Sequence, residues 1–213
     1  EMCIRDREGE EDDLMLLQLD FLNAFNHVDR TAAFKEVEEH FPEMMKWVLT
    51  CYGHQAVLMF GNTVILSQAG FHQGDPLASL LLSLVLHSVV RIINQRLPNL
   101  RVNGWYLDDG GLLGRLAELR EAVYIVLEYG PPRGLLLSTK ASSSNPKSTI
   151  WCPSATRASH LGEDPLDMGI PLVREPGIVL LGSPIGSVQY ERSALQTRVD
   201  KVKEILDRLP LME

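Results

Sequence analysis

The chain has 213 residues, 45% of them hydrophobic and 23% charged, the make-up of a globular domain with material for a substantial core. Its three cysteines, Cys3, Cys51 and Cys152, are far apart and odd in number, which argues against a disulfide framework and fits a reducing, intracellular compartment. A formal net charge of −8 opposes binding to a polyanion, so any affinity for nucleic acid needs a local source.

In chain order, residues 1–13 read as an acidic tail (Glu8, Glu10, Glu11, Asp12, Asp13) without a signal-peptide pattern. Residues 14–20 form a nearly continuous apolar run, the mark of a buried central strand, and it ends on Asp20. Residues 30–40 predict a helix capped by Asp29, with Ala33, Phe34 and Val37 at helical spacing. Pro42 breaks it. Residues 43–52 then predict a second helix with Met44, Trp47, Val48 and Cys51 on one side. Two β-like runs, 56–60 and 63–67, are joined by Gly61-Asn62 as a hairpin. From Pro76 a long helix is expected to about Leu97; its apolar stretch 77–90 carries Ser79, Ser83, His87 and Ser88 and reads as buried, not as a membrane span.

Residues 103–114 are the most informative stretch. Apolar residues lead into Asp108-Asp109, then come Gly110-Gly111 and further apolar residues, a hairpin with carboxylates at its tip and Asp-Gly favouring the tight turn. A helix over 116–128 follows, ended by Gly130-Pro131-Pro132, and then strand-like pieces at 135–137, 149–151 and 178–181. Residues 154–176, aperiodic and interrupted by prolines, read as an exposed insertion. Cys152 and His160 lack the paired spacing of a zinc site, so an incidental thiol is the simpler reading. The final stretch, 191–209, is amphipathic, with Leu195, Val199, Val202, Ile205, Leu206 and Leu209 apolar and Arg and Lys interspersed with acids.

An Asp-Asp-Gly by itself is commonly a solvated turn. Two adjacent carboxylates are costly to hold in a partly dry site unless a cation neutralises them. Asp20, ending its own strand, supplies a third hard oxygen donor, and such a set suits Mg²⁺ shared with substrate phosphates. In-line phosphoryl transfer between two ions is the chemistry suggested.

The words around these acids match a family. Leu19-Asp20-Phe21-Leu22-Asn23-Ala24-Phe25, followed by Arg30, resembles the first palm motif of reverse transcriptases of the non-LTR retrotransposon type. Gly70-Phe71-His72-Gln73-Gly74-Asp75-Pro76-Leu77 is similar to the second motif, and Tyr106-Leu107-Asp108-Asp109 to the third. The run from Gly134 to Lys140 is similar to the fourth, and Leu180-Leu181-Gly182-Ser183-Pro184-Ile185-Gly186 to the fifth. The five stand in the family's order. Departures are Leu22, His72, Ala78 and Leu82, none of which is a metal ligand in the family.

The resemblance implies an α+β fold: a right-hand polymerase palm, an antiparallel sheet packed by helices, over 14–187, with 188–213 starting a thumb helix. It implies an RNA-templated DNA polymerase that joins a dNTP to a primer 3′-hydroxyl with two Mg²⁺ ions, or Mn²⁺ in their place. Asp20, Asp108, Asp109 and the Phe21 carbonyl would hold the metals. Phe25 would exclude a 2′-hydroxyl, and Gln73 and Gly74 would lie against nucleotide and template. Lys140 would protonate pyrophosphate, and Leu181, Gly182, Ser183 and Pro184 would grip the primer. Arg30 is expected in a structural ion pair. The partners implied are an RNA template, a DNA primer, dNTP, and the fingers and thumb of a longer polyprotein, with no membrane. Acidity has two readings that charge alone leaves open. Either the basic surface belongs to fingers and thumb, or this is a catalytically dead or co-opted fragment acting as a binding or structural module.

Overall fold

The computed structural model describes residues 13–208. Most of the expected acidic tail, Cys3 and the end of the expected thumb helix, Leu209 included, lie outside the described residues.

Strand β1 (Leu14–Asp20) is the middle of a five-stranded sheet of order β4-β5-β1-β6-β7. It pairs antiparallel with β5 (Asp109–Arg115) over its whole length, from Leu14 opposite Arg115 to Asp20 opposite Asp109. Strand β4 (Val102–Tyr106) completes the carboxylate hairpin. On the other side β6 (Thr149–Trp151) pairs antiparallel with β1, and β7 (Leu172–Val173) adds to β6 in parallel. The expected antiparallel sheet therefore turns mixed at one edge. A parallel pair needs a crossover, and the long connection containing α6 (Ala155–His160) supplies it.

Side chains alternate along β1, so it serves two layers. Met15, Leu17, Leu19 and Phe21 enter the main core, with Leu112 and Ile150 from neighbouring strands. Helix α4 (Pro76–Arg96) covers this face and buries Leu77, Ala78, Leu81, Leu82, Val85, Leu86, Val89 and Ile93. At about 1.5–3 kcal/mol for each fully buried large aliphatic side chain, this stripe is a major source of stability. Its start is fixed by Asp75, which accepts a hydrogen bond from the Leu77 N–H at 2.9 Å, and by Pro76 in the first turn. By length and composition α4 could cross a membrane; here it is the core helix of the domain. Helices α1 (Ala24–His27), α2 (Arg30–His40) and α5 (Leu116–Tyr129) pack beside it. Asp29 caps α2 as expected, accepting from the Ala32 N–H at 2.7 Å.

The opposite face of the sheet carries a smaller cluster of Leu16, Trp151 and Ile178 with Leu113, Leu180 and Ile185. It is covered by the hairpin of β8 (Gly177–Leu180) and β9 (Ser183–Gly186), after which α7 (Val188–Arg208) runs with no buried residue.

Several expectations change. The stretch 154–176 is not an exposed insertion, since Ala158, Leu166, Ile170 and Leu172 all reach the main core. Its prolines interrupt regular structure, but local bonds close it up, including Ser154 capping α6 and Asp164 accepting from the Gly169 N–H. Residues 135–137 form one isolated bridge, Phe21 to Leu137, in place of a strand. Residues 43–52 divide into a 3₁₀ turn (Pro42–Met44) and α3 (Met45–Tyr52), which buries Val48 and Tyr52 and leaves Trp47 and Cys51 exposed. The hairpin of β2 (Ala56–Phe60) and β3 (Thr63–Ser67) forms as expected around Gly61-Asn62.

Candidate carboxylate centre

Asp20 and Asp109 close the β1–β5 ladder as a cross-strand pair. Directly opposed residues have Cβ atoms about 4.5–5.5 Å apart, so two carboxylates here repel at short range. The turn is two residues earlier than the Asp-Gly signal at Asp109-Gly110 suggests: Tyr106 pairs with Asp109, and Leu107-Asp108 make the tip. Asp108 thus projects from the turn beside Asp109. Leu107 takes φ of 53°, a left-handed conformation costly for leucine.

Asp20 is 9% exposed, and its Oδ1 is buried without a hydrogen-bond partner. Burial pushes its carboxyl above the ordinary value of 3.8; Lys147 pulls down, and Asp109 and Asp108 push up again. Asp109 is also raised, by burial first and by Asp108 second, with Lys147 opposing. The three acids therefore share one electrostatic neighbourhood.

The backing beneath them is aromatic. On the core face, Trp105 stacks on Phe21 with ring centroids 5.9 Å apart, and its Nε1 donates to Asn103 Oδ1 at 2.7 Å. Trp105 lies across Gly110, where an added Cβ would sit 2.5–2.8 Å from ring carbons. Gly110 is therefore needed for close approach, not for the turn. The Phe21 bridge is held by Ser138 N–H to the Asp20 carbonyl (2.9 Å) and Leu22 N–H to the Leu136 carbonyl (2.8 Å). The Phe21 carbonyl itself takes no part in that bridge.

The lysine at the centre is Lys147, with Nζ 3.5 Å from Asp20 Oδ2. Lys140, expected in this role, is exposed elsewhere on the same loop, its backbone N–H donating to the Gly169 carbonyl. The reason is register: Gln18 faces Thr149, so continuing the β1–β6 ladder brings Lys147 level with Asp20.

Phe25 and the loop of Gln73 and Gly74 are joined through the backbone. The Phe71 N–H donates to the Phe25 carbonyl at 2.6 Å, and an added Cβ on Gly70 would meet the Phe25 and Asn26 carbonyls at 2.3–2.4 Å. Phe25 is half-buried, Gln73 exposed, and Gly74 takes φ of 94° in open space. Asp75 anchors the loop by accepting from the Tyr52 hydroxyl, and burial with this bond pushes Tyr52 up to about 12.

Among the described residues Arg30 makes no carboxylate pair. Its Nε donates to the Gly70 carbonyl at 2.8 Å, its other nitrogens to Ser67 Oγ (3.0 Å) and to the carbonyls of Tyr52, His54 and Ser67 (3.4 Å). Burial lowers its pKa. It ties the base of the β2–β3 hairpin to the Gly70 turn.

The β8–β9 hairpin shares the face of Asp20 and Asp109. Leu180 packs over Gly111, where an added Cβ would be 3.0 Å from Leu180 Cδ2. Its tip, Leu181 and Gly182, takes positive φ and is exposed, with Ser183 exposed and Pro184 half-buried.

Three hard oxygen donors, one with a buried unbonded oxygen, suit a divalent cation of the Mg²⁺ type. Among the described residues, the trio whose ligand atoms all lie within 4.8 Å of one another is Glu36, Glu39 and His40 on α2; the three aspartates are spread wider.

No family model matches the sequence, and no curated protein matches it. The fold does have solved neighbours. Telomerase from Candida albicans, in complex with a TWJ fragment of telomeric RNA, superposes with a TM-score of 0.58 at 13% identity, over 86% of this chain and 32% of that one. Apo telomerase from Candida tropicalis, truncated from the C-terminal domain, gives 0.55 at 10% identity, over 83% and 34%. The chain spans about a third of the length of each. At these identities the likeness carries the fold alone: the chain is an α+β domain similar in fold to part of these telomerase structures.

Proposed function

We propose that this domain is the palm of an RNA-templated DNA polymerase of the non-LTR retrotransposon type. The observation that carries the reading is Asp20, whose buried Oδ1 has no partner while its strand register sets it against Asp109 beside Asp108. Buried carboxylates left this way are strongly unfavourable unless a cation completes them.

Asp20, Asp108, Asp109 and the Phe21 carbonyl would hold two Mg²⁺ ions, or Mn²⁺. Bound there, the ions lower the pKa of the primer hydroxyl and offset charge on the leaving pyrophosphate. In the reaction the primer 3′-oxygen bonds to the α-phosphorus, the bond to pyrophosphate breaks, and the hydroxyl proton passes to solvent. Lys147, in place of Lys140, is the ammonium positioned to give a proton to that pyrophosphate. Phe25, on α1 just after Asp20, would present the ring against which a 2′-hydroxyl clashes. Gln73 and Gly74 form the loop beside nucleotide and template, and the β8–β9 tip, Leu181 to Pro184, is the primer contact. The RNA template, DNA primer and dNTP would also be held by fingers and thumb segments of a longer polyprotein, since this chain is acidic.

The test is extension of a DNA primer on an RNA template with Mg²⁺ and dNTPs, using this chain and the chain lengthened by adjoining coding sequence. The longer protein is expected to extend, and Asp108→Asn in it to lose about 10²–10³-fold, on the order of one key electrostatic group. Extension that survives Asp108→Asn, or none from the longer protein, would rule the reading out. In the same assay Phe25→Val is expected to admit ribonucleotides; unchanged discrimination would make Phe25 a packing residue.

A further inference from the structure

The loop that carries Lys147 is closed at its neck by two buried hydroxyls. Ser138 and Ser148 are 1% and 0% exposed, on a loop otherwise rich in solvated serines. Ser148 Oγ meets Asp20 twice, accepting from its backbone N–H at 3.1 Å and donating to its carbonyl at 3.3 Å. The Ser138 N–H donates to that same carbonyl at 2.9 Å, and the Ser138 carbonyl accepts from the Ser148 N–H at 3.1 Å. Ser138 Oγ then accepts from the Lys147 N–H at 3.1 Å. Following these bonds, the backbone of Asp20 connects to that of Lys147 through the backbone and hydroxyl of Ser138 and through the hydroxyl of Ser148, while their charged ends meet at 3.5 Å.

Asp20 is the last residue of β1, where the ladder to β6 has already stopped at Gln18–Thr149. Regular pairing on that side reaches only its carbonyl, through the Phe21–Leu137 bridge. Its N–H is held by the hydroxyl of a fully buried serine, which also donates to that carbonyl.

We propose that Ser148 is the positioning residue of the carboxylate centre. Its hydroxyl fixes the backbone of Asp20 and, with Ser138, the placement of Lys147, so that carboxylate and ammonium are held as one pair before any cation arrives. The inference rests on the reading of Asp20 as a cation ligand given above. Ser148 touches no substrate in this account and acts through Asp20. A site assembled to within a fraction of an ångström depends on such supporting bonds, and their loss in known metal centres weakens affinity about 10–100-fold.

The experiment measures Mn²⁺ affinity of the full chain by electron paramagnetic resonance, together with amide hydrogen exchange at Asp20. Four variants are compared with the unaltered protein: Ser148→Ala, Ser148→Thr, Ser142→Ala and Asp20→Asn. Ser142 is the structural control, because its hydroxyl bonds the Leu137 carbonyl and the Thr139 N–H on the same loop but does not touch Asp20. Ser148→Ala is expected to weaken Mn²⁺ about 10-fold and to speed exchange at Asp20, with Ser148→Thr within about 3-fold of the unaltered protein. Ser142→Ala is expected to lower the melting temperature and leave Mn²⁺ affinity alone. Should Ser148→Ala fail to fold, Ser138→Ala, which frees only the Lys147 end, replaces it with faster exchange at Lys147 as its readout.

Unchanged affinity in Ser148→Ala while Asp20→Asn abolishes binding would overturn the proposal and leave the carboxylate centre standing. Equal losses in Ser148→Ala and Ser142→Ala would also overturn it, by making the effect one of loop stability. Binding that survives Asp20→Asn would remove the centre itself, and the proposal with it.

Discussion

Two hairpins in this chain begin from the same local instructions and end in different surroundings. Both β2–β3 and β4–β5 pair antiparallel around a two-residue turn. Strand β5 is buried along most of its length between helices and the β8–β9 layer, whereas Val57, Met59 and Phe60 of β2 are 62%, 67% and 77% exposed. The turns differ in the opposite sense. The open hairpin places Gly61 at φ of 58°, where glycine is at ease; the packed one places Leu107 at 53°, and the β8–β9 tip over the same face places Leu181 at 48°. Strain is held at the two hairpins that frame the carboxylates and is absent from the one that does not. Surrounding packing has to over-determine a conformation of that kind for it to persist.

The sharpest way to break this comparison is a side chain at Gly110. Gly110→Val would drive into the Trp105 ring and is expected to cost about 2–3 kcal/mol in denaturant unfolding. Gly61→Ala meets nothing within 4 Å and pays only for its backbone angle, about 1 kcal/mol. Equal losses would mean that β4–β5 is no more committed to the core than β2–β3.

Next comes charge. Asp20 and Asp109 both have folded pKa values above the ordinary 3.8, so the folded chain holds those protons more tightly than the unfolded chain. By linkage, stability is highest when both are protonated and falls as pH rises from below 3.8 through the folded values, then levels off. Asp20→Asn should remove its share of that slope and stabilise the protein by about 1 kcal/mol at pH 7, the size of a relieved cross-strand repulsion. Thermal melts from pH 3 to 8, run without divalent cations, read this directly, and a variant less stable than the parent at pH 7 would contradict it.

Relief of strain is smaller. Leu107→Gly is expected to raise stability by about 0.5–1 kcal/mol, the left-handed penalty less the entropy glycine adds to the unfolded chain. A loss of stability would show that Leu107 is held by contacts worth more than its angle costs. Smallest of all, Phe60→Ser on the open hairpin should stay within about 0.5 kcal/mol. A loss above 1 kcal/mol would put Phe60 in a packed environment.

Much of this was legible in the residues. The apolar run into Asp20, the Asp29 cap, the helix start at Pro76, the α4 stripe and the position of Asp108-Asp109 between strands all rest on local pattern, and local pattern is what sequence displays. What it did not display depended on pairing across the chain. Lys147 stands beside Asp20 only because Thr149 pairs with Gln18, and nothing around Lys147 announces that register. Lys140, closer to the matched motif, was the natural reading until that ladder was known. Arg30 was expected to find an acid and found carbonyls, because the groups around it are ends of elements distant in sequence. The stretch 154–176 lacks any period, yet Leu166, Ile170 and Leu172 each enter the core, which irregular chain can do without leaving a repeat to read. The turn at Leu107-Asp108 defeated the Asp-Gly signal because Gly110 was retained for Trp105, not for backbone freedom.

Two clusters on this molecule offer oxygen or nitrogen donors that a divalent cation could use, and one titration separates them. Glu36, Glu39 and His40 lie within 4.8 Å of one another on the surface of α2, while the aspartates are spread wider but hold the buried, unbonded oxygen. Mn²⁺ binding, followed by electron paramagnetic resonance, should be lost in Asp20→Asn and in Asp109→Asn and unchanged in Glu36→Gln. Binding that vanishes in Glu36→Gln and survives both aspartate variants would contradict the account at its centre.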